Sequence, residues 1–356
     1  MIRSITGLRF VAAFAVVLLH SQAGILAVFP AWAPLVSLLH AGNVAVDLFF
    51  VLSGFVLTVG YGATFVRIDS RAWLYFLWRR LARIYPLHLM ITLGIALGLL
   101  VTALRGDPLA QPERYTLPSL VANLLLVHAW GTDRLLTWNE VSWSISAEWF
   151  AYLCFPLVAL VTARIRRPGA LVLIGFAAIT AEIVAMVVWL DTPLVRVSGA
   201  FILGVCLARA YSAGWGRDWP WARIALAASV ACVLLLAALP PDGSQSLVTP
   251  LFGVVILAVA HQRGAIARFL SRPRVVFLGD ASYALYLIHG VVGPWLVWPQ
   301  AIADAPWILR AALLAIDLTT IVAIAALVHA WIDRPVGRYL AALASLVPRR
   351  APAPSS

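Results

Sequence analysis

The sequence predicts an all-α membrane protein, a polytopic bundle of about ten transmembrane helices, and three observations carry that prediction. Of 356 residues, 63% are hydrophobic and 12% charged, and the mean hydropathy is +0.94, which is more apolar surface than a water-soluble globule can hide. Apolar windows long enough to span a bilayer recur along the chain. The 26 basic residues are all arginine and fall in short clusters between those windows, where juxtamembrane anchors belong. The net charge of +11 therefore reads as anchoring to the lipid bilayer, and nucleic acid is not expected as a partner.

The windows lie at residues 8–28, 44–62, 86–104, 142–163, 169–190, 194–211, 222–239, 247–261, 275–297 and 308–332. The first imitates a signal peptide, with Arg3 before it and Ser21-Gln22-Ala23 inside it, but the spans that follow favour an uncleaved first helix. With the N-terminus cytoplasmic, the alternation leaves only Arg105, Arg114, Arg134, Arg196 and Arg310 on the outer side, as the positive-inside rule requires, and the C-terminus is cytoplasmic as well. Residues 67–86, basic and aromatic on a helical period, read as an amphipathic helix on the inner leaflet. Residues 117–130 read as an interfacial or re-entrant helix, because a full crossing would carry the Arg164, Arg166, Arg167 cluster outside. Cys154, Cys206 and Cys232 sit in apolar windows without metal-ligand spacing and read as packing thiols. Residues 1–340 form the transmembrane domain, and 341–356 are expected to be a short basic, disordered cytoplasmic tail.

Ionisable side chains inside spans are costly, so each is a candidate for function. Arg9 and His20 share the first helix, eleven residues apart, about 16 Å along its axis; His20 falls in the outer half and is the foremost catalytic candidate. Asp47, near the outer end of the second span, could orient the His20 ring through one nitrogen and so fix the tautomer at the other. Glu148 lies about two turns inside the fourth span, below a belt formed by Trp138, Trp143 and Trp149, and needs a partner that His20 or His289 could supply. At the inner face the chemistry changes to arginine: Arg80 and Arg83, three residues apart on one helix face, suit a phosphorylated ligand, with Arg9 close by. Residues 277–292 carry Asp280, Ser282, Tyr283, Tyr286 and His289, of which His289 is expected to line the substrate site. His40, His88, His128, His261 and His329 are expected to be structural, and no metal site is expected.

Seven segments, IRSITGLRFVAAFAVVLLH, GNVAVDLFFVLSGF, RRLARIYP, WSISAEWFAY, SGAFILGVCLARA, SYALYLIH and DRPVGRYL, occur in an order that spans almost the whole chain. Together they resemble the acyltransferase 3 family of bacterial integral membrane O-acyltransferases. The resemblance implies transfer of an acyl group, usually acetyl, from cytoplasmic acyl-coenzyme A to a hydroxyl of an envelope or exported glycan. Acetyl-coenzyme A is then a donor substrate and no permanently bound cofactor is implied. The family's arginine, ten residues, histidine motif corresponds to Arg9 and His20, its arginine pair to Arg80 and Arg83, and its carboxylates to Glu148 and Asp47. Thr6 and Ala45 depart from frequent aspartate and glycine, respectively, and read as packing variation. Some relatives carry a C-terminal hydrolase-like domain that is not expected here.

These readings predict a multi-pass enzyme of the bacterial inner membrane that holds donor phosphates through Arg9, Arg80 and Arg83. His20 would act as general base, with Asp47 or Glu148 holding the ring and His289 contacting the acceptor; a route in which His20 or another nucleophile is acylated first and then passes the group on is equally compatible with the sequence. A small secondary metabolite or a lipid-linked sugar is an alternative acceptor. A proton-coupled secondary transporter using the same buried groups is disfavoured, because the chain shows neither inverted repeats nor paired broken helices.

Overall fold

The computed structural model describes residues 2–109, 111–131, 136–188, 192–293 and 304–343, and among them the regular structure is helical throughout. In order the helices are α1 (Arg3–His20), α2 (Gln22–Val28), α3 (Val36–His40), α4 (Gly42–Tyr61), α5 (Ser70–Leu104), α6 (Leu117–Leu124), α7 (Trp143–Ala163), α8 (Pro168–Val188), α9 (Pro193–Ser212), α10 (Trp221–Ala238), α11 (Thr249–Ala260), α12 (Gly264–Leu270), α13 (Pro273–Asp280), α14 (Ser282–Val292), α15 (Trp307–Val328) and α16 (Arg334–Leu343). Among the described residues, nine helical segments are long and apolar enough to cross a membrane. They become ten if α13 and α14, bent by 59° at Ala281, form one span. The chain is a multi-pass membrane protein. Leucines and valines on α5, α8 and α10, such as Leu97, Leu173 and Leu234, remain exposed, as lipid-facing positions do.

The core is built on close backbone approach. α4 packs along α9, and α9 along α8. A side chain at Gly54 would run into the Phe201 carbonyl, and one at Gly204 into the Val51 carbonyl. Small residues on both faces therefore let the two backbones touch, which is how helices associate where lipid offers no hydrophobic driving force. The helix α1 is central, packed on α4, α11, α12, α13 and α14, and Ser4 donates to the Val259 carbonyl at 2.7 Å.

Three expectations are altered. The first window is not one helix: α1 ends at His20, Ser21 adopts a non-helical conformation, and α2 starts anew. Residues 67–86 are not a separate surface helix. α5 opens at Asp69, whose carboxylate accepts the Arg71 and Ala72 N–H groups at 2.8 and 3.3 Å, and runs through Pro86 to Leu104. Proline leaves the Ala82 carbonyl without its helical donor; neighbouring helices close over this turn, and the Tyr283 hydroxyl donates to the adjacent Ile84 carbonyl. Finally, helix persists to Leu343 at the C-terminal end, so the expected tail overlaps α16, and its remainder, 344–356, lies outside the described residues.

Of residues 117–130 only the eight-residue α6 is helical, too short to cross a bilayer. Beyond it the chain turns at Leu126, which takes a positive φ of 57°, and is tied to the spans. His88 of α5 donates to the Asn123 carbonyl at 2.9 Å, Trp130 donates to the Ser146 carbonyl at 3.0 Å, and His128 bonds the Ser142 hydroxyl at 3.1 Å. The His88 and His128 rings stack, with centroids 6.0 Å apart. Burial, with His88 adding to it, lowers the His128 pKa from 6.5 to about 4.

Two outcomes follow from these contacts. Gly54→Leu should lower the melting temperature of the detergent-solubilised protein by the equivalent of about 1–3 kcal/mol, whereas Gly60→Ala, where an added methyl meets nothing, should not. For His128, the unfolded chain takes up the proton at higher pH than the folded one, so stability should fall as pH drops from 6.5 towards 4. Thermal scans across that range should show the slope, and His128→Gln should flatten it.

Candidate active site

A cavity of about 450 Å³ lies between α1, α4, α5, α7, α14 and α16. At one end it is lined by Arg79, Arg80, Arg83, Arg334 and Arg338; in the middle by Arg9, Ser53, Glu148 and Tyr152; at the other end by Phe49, Ser144 and Tyr286. The structure thus brings together Arg9, Arg80, Arg83 and Glu148, which the sequence places on three different helices.

Each cation is held differently. Arg83 gives one nitrogen to Asp333 at 2.6 Å and another to the Asp280 carbonyl at 3.2 Å, and its guanidinium lies 5.1 Å from the Tyr283 ring centre. Asp333 also accepts from His329 Nδ1 at 2.8 Å, across the π-helical turn His329–Asp333; such turns re-aim side chains and recur at functional sites. His329, expected to be structural, therefore borders the cavity. Arg80 rests over Tyr61 and Phe76 at 5.3 and 5.9 Å and donates to the Tyr61 hydroxyl at 3.3 Å. Arg9 makes no hydrogen bond or ion pair among the described residues and lies within electrostatic reach of Glu148.

Glu148 accepts a 2.6 Å hydrogen bond from Ser53 and faces the cavity rather than either candidate histidine. Asp47 is also directed elsewhere. It is 1% exposed, accepts from Arg196 Nε at 2.6 Å and Nη2 at 3.3 Å, and receives a longer contact from Thr249 at 3.5 Å. Arg196 is in turn stacked 5.3 Å over Trp143. The expectation that Asp47 or Glu148 holds the His20 ring is corrected here: Asp47 is taken by the buried cation beside it, Glu148 by the Ser53 hydroxyl, and the ring is held by the backbone.

His20, exposed at the end of α1, donates from Nδ1 to the Val16 carbonyl one turn back at 2.9 Å, which leaves Nε2 with its lone pair free. His289 lies against it edge to face, with ring centroids 4.8 Å apart. Only 3% of His289 is exposed; its Nδ1 donates to the Leu285 carbonyl at 3.2 Å, and its Nε2 has no partner. Neither histidine lines the cavity, but Tyr286, which does, lies 5.9 Å from the His289 ring and donates to the Val141 carbonyl at 3.0 Å. Above the pair, Asn139 ties the preceding loop to the Leu287 carbonyl at 3.2 Å. The arrangement offers an anion site at one end, a basic imidazole nitrogen at the other, and a cavity reaching most of the way between them.

Asp333, Arg196 and Tyr286 were not singled out by the sequence as partners. Arg196 carried a signal, since it and Asp47 fall at matching depths in their windows. Asp333 carried little, because it follows the last window. Among the described residues, no three His, Cys, Asp or Glu side chains gather as metal ligands would.

The family model for the acyltransferase domain matches residues 2–332. The chain is 30% identical over 378 residues to "Acyltransferase MdmB" of Streptomyces mycarofaciens, covering 95% of this chain and 92% of that one. It is 24% identical over 327 residues to "Putative O-acetyltransferase SACOL0978" of Staphylococcus aureus (strain COL), covering 82% of this chain and 50% of that one. No solved structure matches it.

The Asp47–Arg196 pair yields a sharp expectation. Arg196→Met should leave a buried carboxylate unpaired and cost about 3–5 kcal/mol, and adding Asp47→Leu should recover most of the loss. Melting temperatures of the two single variants and the double variant measure the cycle; equal losses in the single and double variants would mean that the pair is not what holds α4 to α9.

Proposed function

We propose that this chain, which belongs to the acyltransferase 3 family and is a membrane O-acyltransferase, moves an acetyl group from cytoplasmic acetyl-coenzyme A to a hydroxyl of a cell-envelope or exopolysaccharide sugar. The arginine-lined end of the cavity is the donor side, and it faces the cytoplasm of a bacterial inner membrane with both termini; the excess of arginine at that end supports the orientation. The observation that carries the reading is a cavity that begins among Arg80 and Arg83, passes Arg9 and ends at Tyr286, beside the His20–His289 pair. A donor with anionic phosphates and a long thioester arm fits that polarity, with phosphates among the guanidinium forks and the arm directed towards the histidines.

In the transfer, His20 Nε2 takes the proton of the acceptor hydroxyl as its oxygen attacks the thioester carbonyl. The tetrahedral intermediate collapses by breaking the carbon–sulfur bond. The imidazolium returns its proton to the departing thiolate, leaving the ester and free coenzyme A. The Val16 carbonyl fixes the tautomer in which Nε2 is the base. His289 contributes a second imidazole for the acceptor hydroxyl, and Glu148 acts beside Arg9 in the donor channel. Asp47 acts on the site through Arg196 and the placement of α4.

His20→Ala should lower transfer by a factor of at least about 100, the lower end of a general base's contribution, while the protein still reaches the membrane. The measurement is mass spectrometry of envelope and secreted glycans from cells expressing each form, where acetylation appears as a fixed mass increment. Unchanged acetylation in the His20 variant would end the proposed role of that residue. An increment on a small metabolite in place of a glycan would reassign the acceptor.

A further inference from the structure

We propose that α16 is part of the donor site and that Arg334 and Arg338 bind phosphate groups of the donor at the mouth of the cavity. The inference rests on the reading of the donor as an acyl-coenzyme A. It concerns two residues of the DRPVGRYL segment, which lies just past the match to the family model at 2–332.

Several of the cavity's cations are already occupied. Among the arginines that line the cavity, Arg83 is committed to Asp333, while Arg79 and Arg80 donate to the tyrosine hydroxyls of Tyr75 and Tyr61. Arg334 and Arg338 line the same cavity and are exposed, and neither makes a hydrogen bond or ion pair among the described residues. Four residues apart on a helix, they share one face. Two unpaired forks on one face, at the entrance of a cavity already rich in guanidinium groups, form a site for a polyanion rather than a structural contact.

The helix that carries them is anchored firmly enough to present a fixed site. Trp78 of α5 donates to the Leu340 carbonyl at 2.7 Å. Gly337, between the two arginines in sequence, faces the Ala82 carbonyl, the one that Pro86 deprives of its helical donor. At the N-terminal end of α16, Asp333 is clamped between Arg83 and His329. A coenzyme A molecule carries a diphosphate and a 3′-phosphate at the end away from its thioester. With the thioester arm directed inward past Arg9, those phosphates fall at the mouth, where Arg334 and Arg338 stand. Lipid headgroups offer the same phosphate chemistry, so the experiment separates the two sources.

The test uses the full chain in nanodiscs of phosphatidylcholine alone and of phosphatidylcholine with phosphatidylglycerol, and measures binding of coenzyme A, adenosine 3′,5′-bisphosphate and S-acetylpantetheine. Replacing both residues, Arg334→Gln with Arg338→Gln, should weaken coenzyme A and the bisphosphate by about tenfold or more, as loss of charge-assisted hydrogen bonds does. S-acetylpantetheine, which has no phosphate, should be unaffected, the double lysine variant should recover part of the loss, and the effect should be the same in both nanodiscs. Unchanged coenzyme A affinity in the double glutamine variant overturns the proposal while leaving the donor reading intact. A loss confined to nanodiscs containing phosphatidylglycerol overturns it in favour of lipid. If the unaltered protein binds coenzyme A in neither nanodisc, the donor reading itself fails and this proposal fails with it.

Discussion

A guanidinium or carboxylate inside an apolar bundle is costly unless another group satisfies it, and much of the order of this bundle follows from the ones that are satisfied. Asp47 and Arg196, 149 residues apart, fix the start of α4 against α9. Arg83 and Asp333, 250 residues apart, fix α5 against the end of the last long span. Arg209 reaches across to the Gly62 and Ala159 carbonyls at 3.0 and 2.8 Å, joining α9 to the end of α4 and to α7. Each pair links segments that helix propensity and hydropathy would leave free to slide. Of the arginines that line the cavity, Arg9, Arg334 and Arg338 have no such partner among the described residues, so the unsatisfied cations of the bundle's interior edge gather at one cavity.

The sequence revealed depth far better than direction. Hydropathy windows gave the spans nearly as they are, and the motif pairing Arg9 with His20 put two functional candidates on one helix, with a separation the helix rise fixes. Arg80 and Arg83 line the same cavity as Arg9, a nearness that their positions near the same end of their helices already suggested. Asp47 shows the limit. Its depth matched both His20 and Arg196, and only the packing of α9 against α4, set by Gly54 and Gly204, decides which of them it meets. Continuity of α5 through Pro86 was equally hidden: the groups that cover the interrupted turn come from α14 and α16, hundreds of residues later in the chain. The break after His20 left no mark in hydropathy, since Ser21 and Gly24 sit in an otherwise apolar run.

The histidine pair is bound by a constraint that neither ring shows alone. Both Nδ1 atoms are committed to carbonyls one turn back on their own helices, so in the neutral state both Nε2 atoms are acceptors and neither can donate to the other. Two adjacent acceptors, with His289 buried and its Nε2 unpartnered, form an unsatisfied arrangement; a buried polar atom left so costs about 1–3 kcal/mol. A donor from outside relieves it, and in the proposed transfer the acceptor hydroxyl is such a donor. In the proposed transfer the proton taken from the hydroxyl makes one ring an imidazolium, a donor beside the second ring 4.8 Å away between ring centres, whose Nε2 can accept from it. Two histidines at one depth would thus serve the proposed transfer in turn, as acceptors for the incoming hydroxyl and then as a shared holder of its proton until the leaving thiolate takes it.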